Sequence, residues 1–205
     1  MRSSPVVAAL VLAGVVAPAA ASDDERGSIT ATANFALGSS AVGDAPGVLA
    51  PGGHFDVGFR VRRWRLAAEV DTALWSNPKA PDDRPESGSF LRGGIALRWS
   101  ALEMTTRPRE GRPGGAYRIY LEGGIGRQRI DAPGLALGRN DVMLGLGIAP
   151  ELSFGRVLFG ANFGLRVLIA NAPDDQLARS VCADCRGTRR HDLTLLYVFG
   201  FTFGR

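Results

Sequence analysis

The sequence is poor in lysine, cysteine and histidine, and beyond its first twenty-odd residues it holds no run of 18 apolar residues. That last absence excludes a helical membrane protein. Lys79 is the sole lysine among 24 basic residues, which stand against 20 acidic ones for a net charge of +4. So small and dispersed a surplus leaves no footprint for nucleic acid. His54 and His191 are the only imidazoles, and no phosphate loop, triad spacing or carboxylate-rich metal site accompanies them. Helical periodicity is almost missing as well. Glycine, by contrast, is plentiful, with 27 of 205 residues, about twice the usual share. A chain that is 45% hydrophobic and 21% charged folds, and this length suits one domain with one closed sheet.

The N-terminus carries an address. Arg2 is followed by an apolar stretch at 5–16, too short to cross a bilayer, and then by Ala17-Pro18-Ala19-Ala20-Ala21 before Ser22. Small residues at −3 and −1 mark a secretory signal peptide over 1–21, with Ala19 as the alternative cleavage point. The mature chain is then 22–205, exported from the cytoplasm.

What remains reads as alternation with period two, broken by turn-rich segments. Trp64, Leu66, Ala68, Val70, Thr72 and Leu74 alternate with Arg65, Ala67, Glu69, Asp71 and Ala73. Tyr117, Ile119, Leu121 and Ile125 alternate with Arg118, Tyr120, Glu122 and Gly124. The odd residues of 157–169 are all apolar, against Leu158, Gly160, Asn162, Gly164, Arg166 and Leu168. Similar stretches lie at 29–37, 55–61, 91–99, 142–148 and 193–203, which makes eight strands.

The polar faces are crowded with Gly and Ala around single Arg, Glu and Asp residues. A water-facing sheet gains nothing from so many glycines, whereas a narrow lumen needs small residues to leave room for long charged ones. This predicts a membrane barrel, with apolar residues toward lipid, over a soluble lipocalin-like carrier with an apolar cavity and a C-terminal helix. Loop lengths are expected to alternate in such a barrel. Residues 38–51 and 77–87 read as long outer loops, 171–190 as the longest. Arg62-Arg63 and 153–156 read as short inner turns. The connection at 104–115 is too long for its place. Trp64, Trp99, Tyr117, Phe201 and Phe203 fall at the inner ends of their strands, where an interfacial girdle belongs.

The last strand, Tyr197-Val198-Phe199-Gly200-Phe201-Thr202-Phe203, resembles the aromatic-alternating C-terminal signal of the small eight-stranded outer-membrane barrels of the OmpX and OmpA-transmembrane type. In that family the final residue is usually aromatic, and here Gly204-Arg205 follow. The resemblance covers the whole mature chain. It implies an all-β, eight-stranded antiparallel up-and-down transmembrane barrel, a monomer in the outer membrane of a Gram-negative-type cell. Tyr197, Phe199, Phe201 and Phe203 would engage the assembly machinery. Outer-membrane lipid and lipopolysaccharide are the other expected partners, with no nucleic acid and no cofactor. The implied role is non-enzymatic, in envelope structure or surface interaction through the outer loops.

Inside the barrel, Arg65, Glu69, Asp71, Arg92, Arg98, Arg118 and Glu122 are the expected lumen network. Buried ions must pair, so a salt-bridged plug is expected, with a narrow gated pore as the alternative. In the longest loop, Cys182 and Cys185 would form a local disulfide in an oxidising compartment. A metal site with His191 would have the minimum ligand number but lacks the second Cys-x-x-Cys of a zinc ribbon, and none is expected. Arg186, Arg189 and Arg190 beside the pair could reach lipopolysaccharide phosphates. His54 with Asp56 could form an acid–base pair on one strand face, but a His at a strand mouth is more often a satisfied polar residue, and no enzyme is expected.

Overall fold

The computed structural model describes residues 27–42, 45–76, 87–106, 113–133, 135–154, 156–171 and 191–205. The segment expected to be a signal peptide, Cys182 and Cys185 and their neighbouring arginines lie outside the described residues. Eight strands follow in chain order: β1 (Ser28–Val42), β2 (Ala45–Val61), β3 (Trp64–Ser76), β4 (Ser87–Thr106), β5 (Gly114–Ala132), β6 (Leu135–Phe154), β7 (Val157–Asn171) and β8 (His191–Gly204). Each pairs antiparallel with the next, and β8 closes on β1. The result is a closed up-and-down barrel, with no helix among the described residues.

Following register partners once round leads from Ile29 through Phe59, Leu66, Leu97, Gly123, Leu144, Val167 and Leu195 to Ser39. The circuit ends ten residues along β1 from its start. A stagger of this order goes with strands tilted by roughly 40°. The two chain ends meet where Ile29 N donates to Arg205 O at 3.2 Å and Arg205 N to Ile29 O at 3.1 Å. This terminal end also carries the β2–β3, β4–β5 and β6–β7 turns. The other four connections lie at the opposite, loop end. Between β2 and β3 the turn is Arg62-Arg63 alone, and Arg62 adopts φ 52°, the left-handed conformation that two-residue hairpins favour.

The alternation sorts the two faces. Phe35, Phe59, Leu66, Ile95, Leu121, Leu144, Phe163 and Phe199 point outward and are exposed, while Arg65, Glu69, Arg92, Glu122 and Arg166 point inward and are buried. Polarity is therefore reversed relative to a lipocalin-like carrier, whose apolar face would line the cavity. Outward aromatics meet across strands: Phe35 and Phe199 stack at 5.5 Å, and Trp64 and Trp99 lie tilted at 6.2 Å between ring centroids.

Three expectations about connections need correction. Residues 38–51 are not a loop: β1 and β2 stay paired from Gly38↔Leu49 to Val42↔Ala45, leaving only 43–44. The long connection at 104–115 is partly strand, since Met104↔Tyr117, Thr105↔Ala116 and Thr106↔Gly115 are paired. Between β5 and β6 the loop end is crossed by 133–134 alone, next to the Ala132↔Leu135 pair, so loop lengths do not alternate there. The physical reason is common to all three. Ladder hydrogen bonds need no apolar face, so strand pairing continues where hydrophobic alternation has faded. For the same reason the turn at 153–156 contracts, with Phe154↔Val157 already paired.

Candidate functional site

The inward faces of the strands bring polar and charged side chains together inside the barrel. Glycines make it possible. Glu122 (β5), Gly145 (β6) and Arg166 (β7) share a register line, and the Glu122 side chain lies across Gly145, its Cγ and Oε1 2.7 Å from where a β-carbon would stand. The Arg92 guanidinium lies over Gly126 in the same way, Nη2 at 2.8 Å. Tyr120 crosses Gly147 and Gly164 to donate to Asn162 Oδ1 at 2.9 Å. Each long side chain thus occupies the space that a missing neighbour leaves.

At the centre, Arg166 Nε donates to Glu122 Oε1 at 2.7 Å, and its Nη2 lies 3.0 Å from Glu69 Oε2. Arg92 pairs with Glu69, with Asp71 Oδ2 at 3.1 Å and with Asp141 Oδ1 at 2.8 Å. Arg98 pairs with Glu122 at 3.1 Å and places its guanidinium carbon 4.0 Å from the centroid of the Tyr120 ring. His54 is fully enclosed. Its Nδ1 lies 2.8 Å from Asp71 Oδ1 and its Nε2 3.1 Å from Asp56 Oδ2, while Arg166 Nη1 lies 3.0 Å from the same Nδ1.

Toward the terminal end, Arg65 pairs with Asp56 and donates through Nε to Thr30 Oγ1 at 2.6 Å. Arg60 holds Glu151 in a fork, at 2.9 and 2.8 Å, and Arg118 joins Glu151 to Glu103, the latter at 2.8 Å. Toward the loop end, Arg139 pairs with Asp192 and donates to Gln128 Oε1 at 3.1 Å. Seven inward arginines thus meet eight inward carboxylates, a near balance that keeps the interior from self-repulsion.

The loop end of the lumen is different. Leu49, Trp75, Phe90, Ile130, Leu137, Met143, Leu168 and Leu196 point inward and pack into an apolar cluster beside the Arg139–Asp192 pair. Trp75 and Ile130 are 0% exposed. Among the described residues, ion pairs and buried apolar side chains both face the interior, and the apolar ones gather toward the loop end.

Arg65, Glu69, Asp71, Arg92, Arg98, Arg118 and Glu122 all face this interior, each in an ion pair. Sequence reasoning left out Asp56, Arg60, Glu103, Arg139, Asp141, Glu151, Arg166 and Asp192. Parity would have found Asp56, Arg60 and Arg166, which sit on polar faces already identified. The others lie where the strands outrun the apolar alternation. His54 and Asp56 do touch, but as members of the buried cluster. His191 is exposed at the start of β8, in register with Asn171. Tyr197, Phe199, Phe201 and Phe203 all point outward, 42–56% exposed.

No family model matches the chain, and no curated protein does. Among solved structures the chain is similar to Neisserial surface protein A, at 17% identity and a TM-score of 0.47 over 86% of this chain and 95% of that one. It is also similar to Ail, the attachment invasion locus protein of Yersinia pestis, at 11% identity and a TM-score of 0.42 over 88% and 99%. A second Ail structure, in complex with the heparin analogue sucrose octasulfate, compares at 10% identity and a TM-score of 0.39 over the same shares.

Proposed function

We propose that this chain is an outer-membrane protein whose barrel crosses the bilayer around a salt-bridged plug. Its role is non-enzymatic, in envelope structure or in surface interaction through the segments at the loop end. The observation that carries this reading is the reversed polarity of the two faces. A belt of exposed Phe, Leu, Ile, Val and Trp side chains surrounds the barrel on every strand, while arginines and carboxylates fill the inside. Water does not favour so large an apolar belt; hydrocarbon does, and closure of the sheet leaves no edge unpaired in it.

The interior supports a plug. Eight-stranded lumens are narrow enough for side chains to fill, and here Arg92 and Arg166 are almost wholly shielded, with an apolar cluster beyond them. With both chain ends on the periplasmic side, the terminal-end turns would be periplasmic and the loop end would face out of the cell. The exposed Tyr197, Phe199, Phe201 and Phe203 fit a signal for the assembly machinery.

Cell fractionation, with gel mobility of unheated against boiled protein, tests the reading. A band in the outer-membrane fraction that runs faster unheated is the expected result. A soluble periplasmic protein without a heat-dependent shift would overturn it.

A further inference from the structure

The outward face of the barrel carries charge on only three strand side chains among the described residues, and all three are on β5: Arg127, Arg129 and Asp131. They stand directly above the apolar belt. One register line across β4 to β7 joins Ile95, Ile125, Val142 and Ile169. The next outward-facing line toward the loop end joins Gly93, Arg127 and Asn140, and the one beyond joins Leu91, Arg129 and Gly138. Aliphatic side chains thus give way to guanidiniums within two residues of strand.

The surface on both sides of these arginines is open. A β-carbon on Gly93 would meet nothing within 4 Å, and one on Gly138 would meet only Arg127 Nη2, at 3.7 Å. The Arg127 side chain therefore runs toward the loop end over β6, away from the apolar belt, as a snorkelling arginine does. Arg129 engages Asp131 through Nε at 2.6 Å, and Arg127 has no ion pair among the described residues. Below them lies an open groove of about 570 Å³, lined by Ile95, Ile125, Val142 and Ile169, with Asn140 and Asn171 at its upper edge.

We propose that this face of β4 to β7 binds a phosphorylated lipid of the surrounding leaflet. Its phosphate would rest on Arg127 and Arg129, and one acyl chain would lie in the aliphatic groove. The charge and the shape are complementary to such a molecule. A guanidinium pairs with phosphate oxygens in bidentate geometry, the two asparagine amides offer donors to ester or hydroxyl oxygens beside it, and the groove begins where a phosphate's acyl chains would. The inference rests on the membrane reading above and names one partner for it.

The test uses the full mature chain in detergent, titrated with bisphosphorylated lipid A, with the same lipid dephosphorylated, and with inorganic phosphate, and read by native mass spectrometry. Lipid A should be retained, the dephosphorylated lipid at least about tenfold less, and free phosphate not at all. Arg127→Gln with Arg129→Gln should lower lipid A retention by about tenfold while leaving the heat-dependent gel shift intact. Equal retention by this variant and the unaltered protein would overturn the site, as would equal binding of the dephosphorylated lipid or capture of phosphate alone. In each case a barrel that still shifts on heating leaves the membrane reading standing. An unaltered protein that is soluble and does not shift would sink that reading instead, and the lipid site with it.

Discussion

Arg166 on β7 reaches Glu122 on β5 over an intervening strand, with Nε 2.7 Å from Glu122 Oε1. The β6 residue between them is Gly145, where a β-carbon would stand 2.7 Å from Glu122 Cγ and Oε1, so the Glu122 side chain would have to move. The pair is thus a joint product of an arginine, a glutamate and the missing side chain of a third residue.

Gly145→Ala should therefore destabilise the barrel, because the new methyl group meets Glu122 at 2.7 Å and pushes it off Arg166. Overpacking of this kind costs about 1–3 kcal/mol. Gly93→Ala is the control. Its β-carbon would meet open space, so a change within about 0.5 kcal/mol is expected. Urea unfolding in lipid vesicles measures both.

Glu122→Ala removes the carboxylate that pairs with Arg98 and one of those around Arg166, which keeps Glu69 at 3.0 Å. Leaving the buried Arg98 guanidinium uncompensated costs about 3–5 kcal/mol, which the same unfolding series reads. Planar-bilayer recordings then separate plug from pore. Silent traces from both the unaltered protein and the variant are the outcome expected of a plug. Conductance steps that appear in Glu122→Ala, or in Glu69→Ala, would favour the gated pore.

Phe90 is 2% exposed inside the loop-end cluster. Phe90→Ala should cost about 3–5 kcal/mol. A cost below about 1 kcal/mol, the ordinary range for surface changes, would show that this end of the lumen is open rather than packed.

The three tryptophans report the two sides of the wall. Trp64 and Trp99 point outward, at 52% and 36% exposure, and Trp75 points inward at 0%. In vesicles of brominated lipid, Trp75→Phe should leave a strongly quenched emission. A variant with Trp64→Phe and Trp99→Phe, in which only Trp75 emits, should be quenched little. The opposite ranking would turn the faces inside out.

The strand count, the two faces and the inward position of Arg65, Glu69 and Glu122 were legible in the sequence, because period-two alternation is a local property of a chain facing two solvents. Arg139, Asp141 and Asp192 were not legible. They sit where outward neighbours such as Gly138 and Asn140 are no longer apolar, so the pattern stops although the ladder goes on. Trp75, Phe90 and Ile130 were hidden for the converse reason. Near the loop end both faces carry apolar residues, as in Leu74 beside Trp75, and alternation of hydrophobicity cannot say which one turns inward.

Local patterning along the chain is enough to give eight alternating strands, with glycine beside charge on one face and apolar side chains on the other. Tertiary structure alone decided which charge meets which. Closing the sheet with a ten-residue stagger slides each strand's inward residues past those of its neighbours. That brings Arg60 on β2 to Glu151 on β6, across the lumen and 91 residues away along the chain. Such pairing depends on the shear of the closed barrel, a property of all eight strands together and of no single segment.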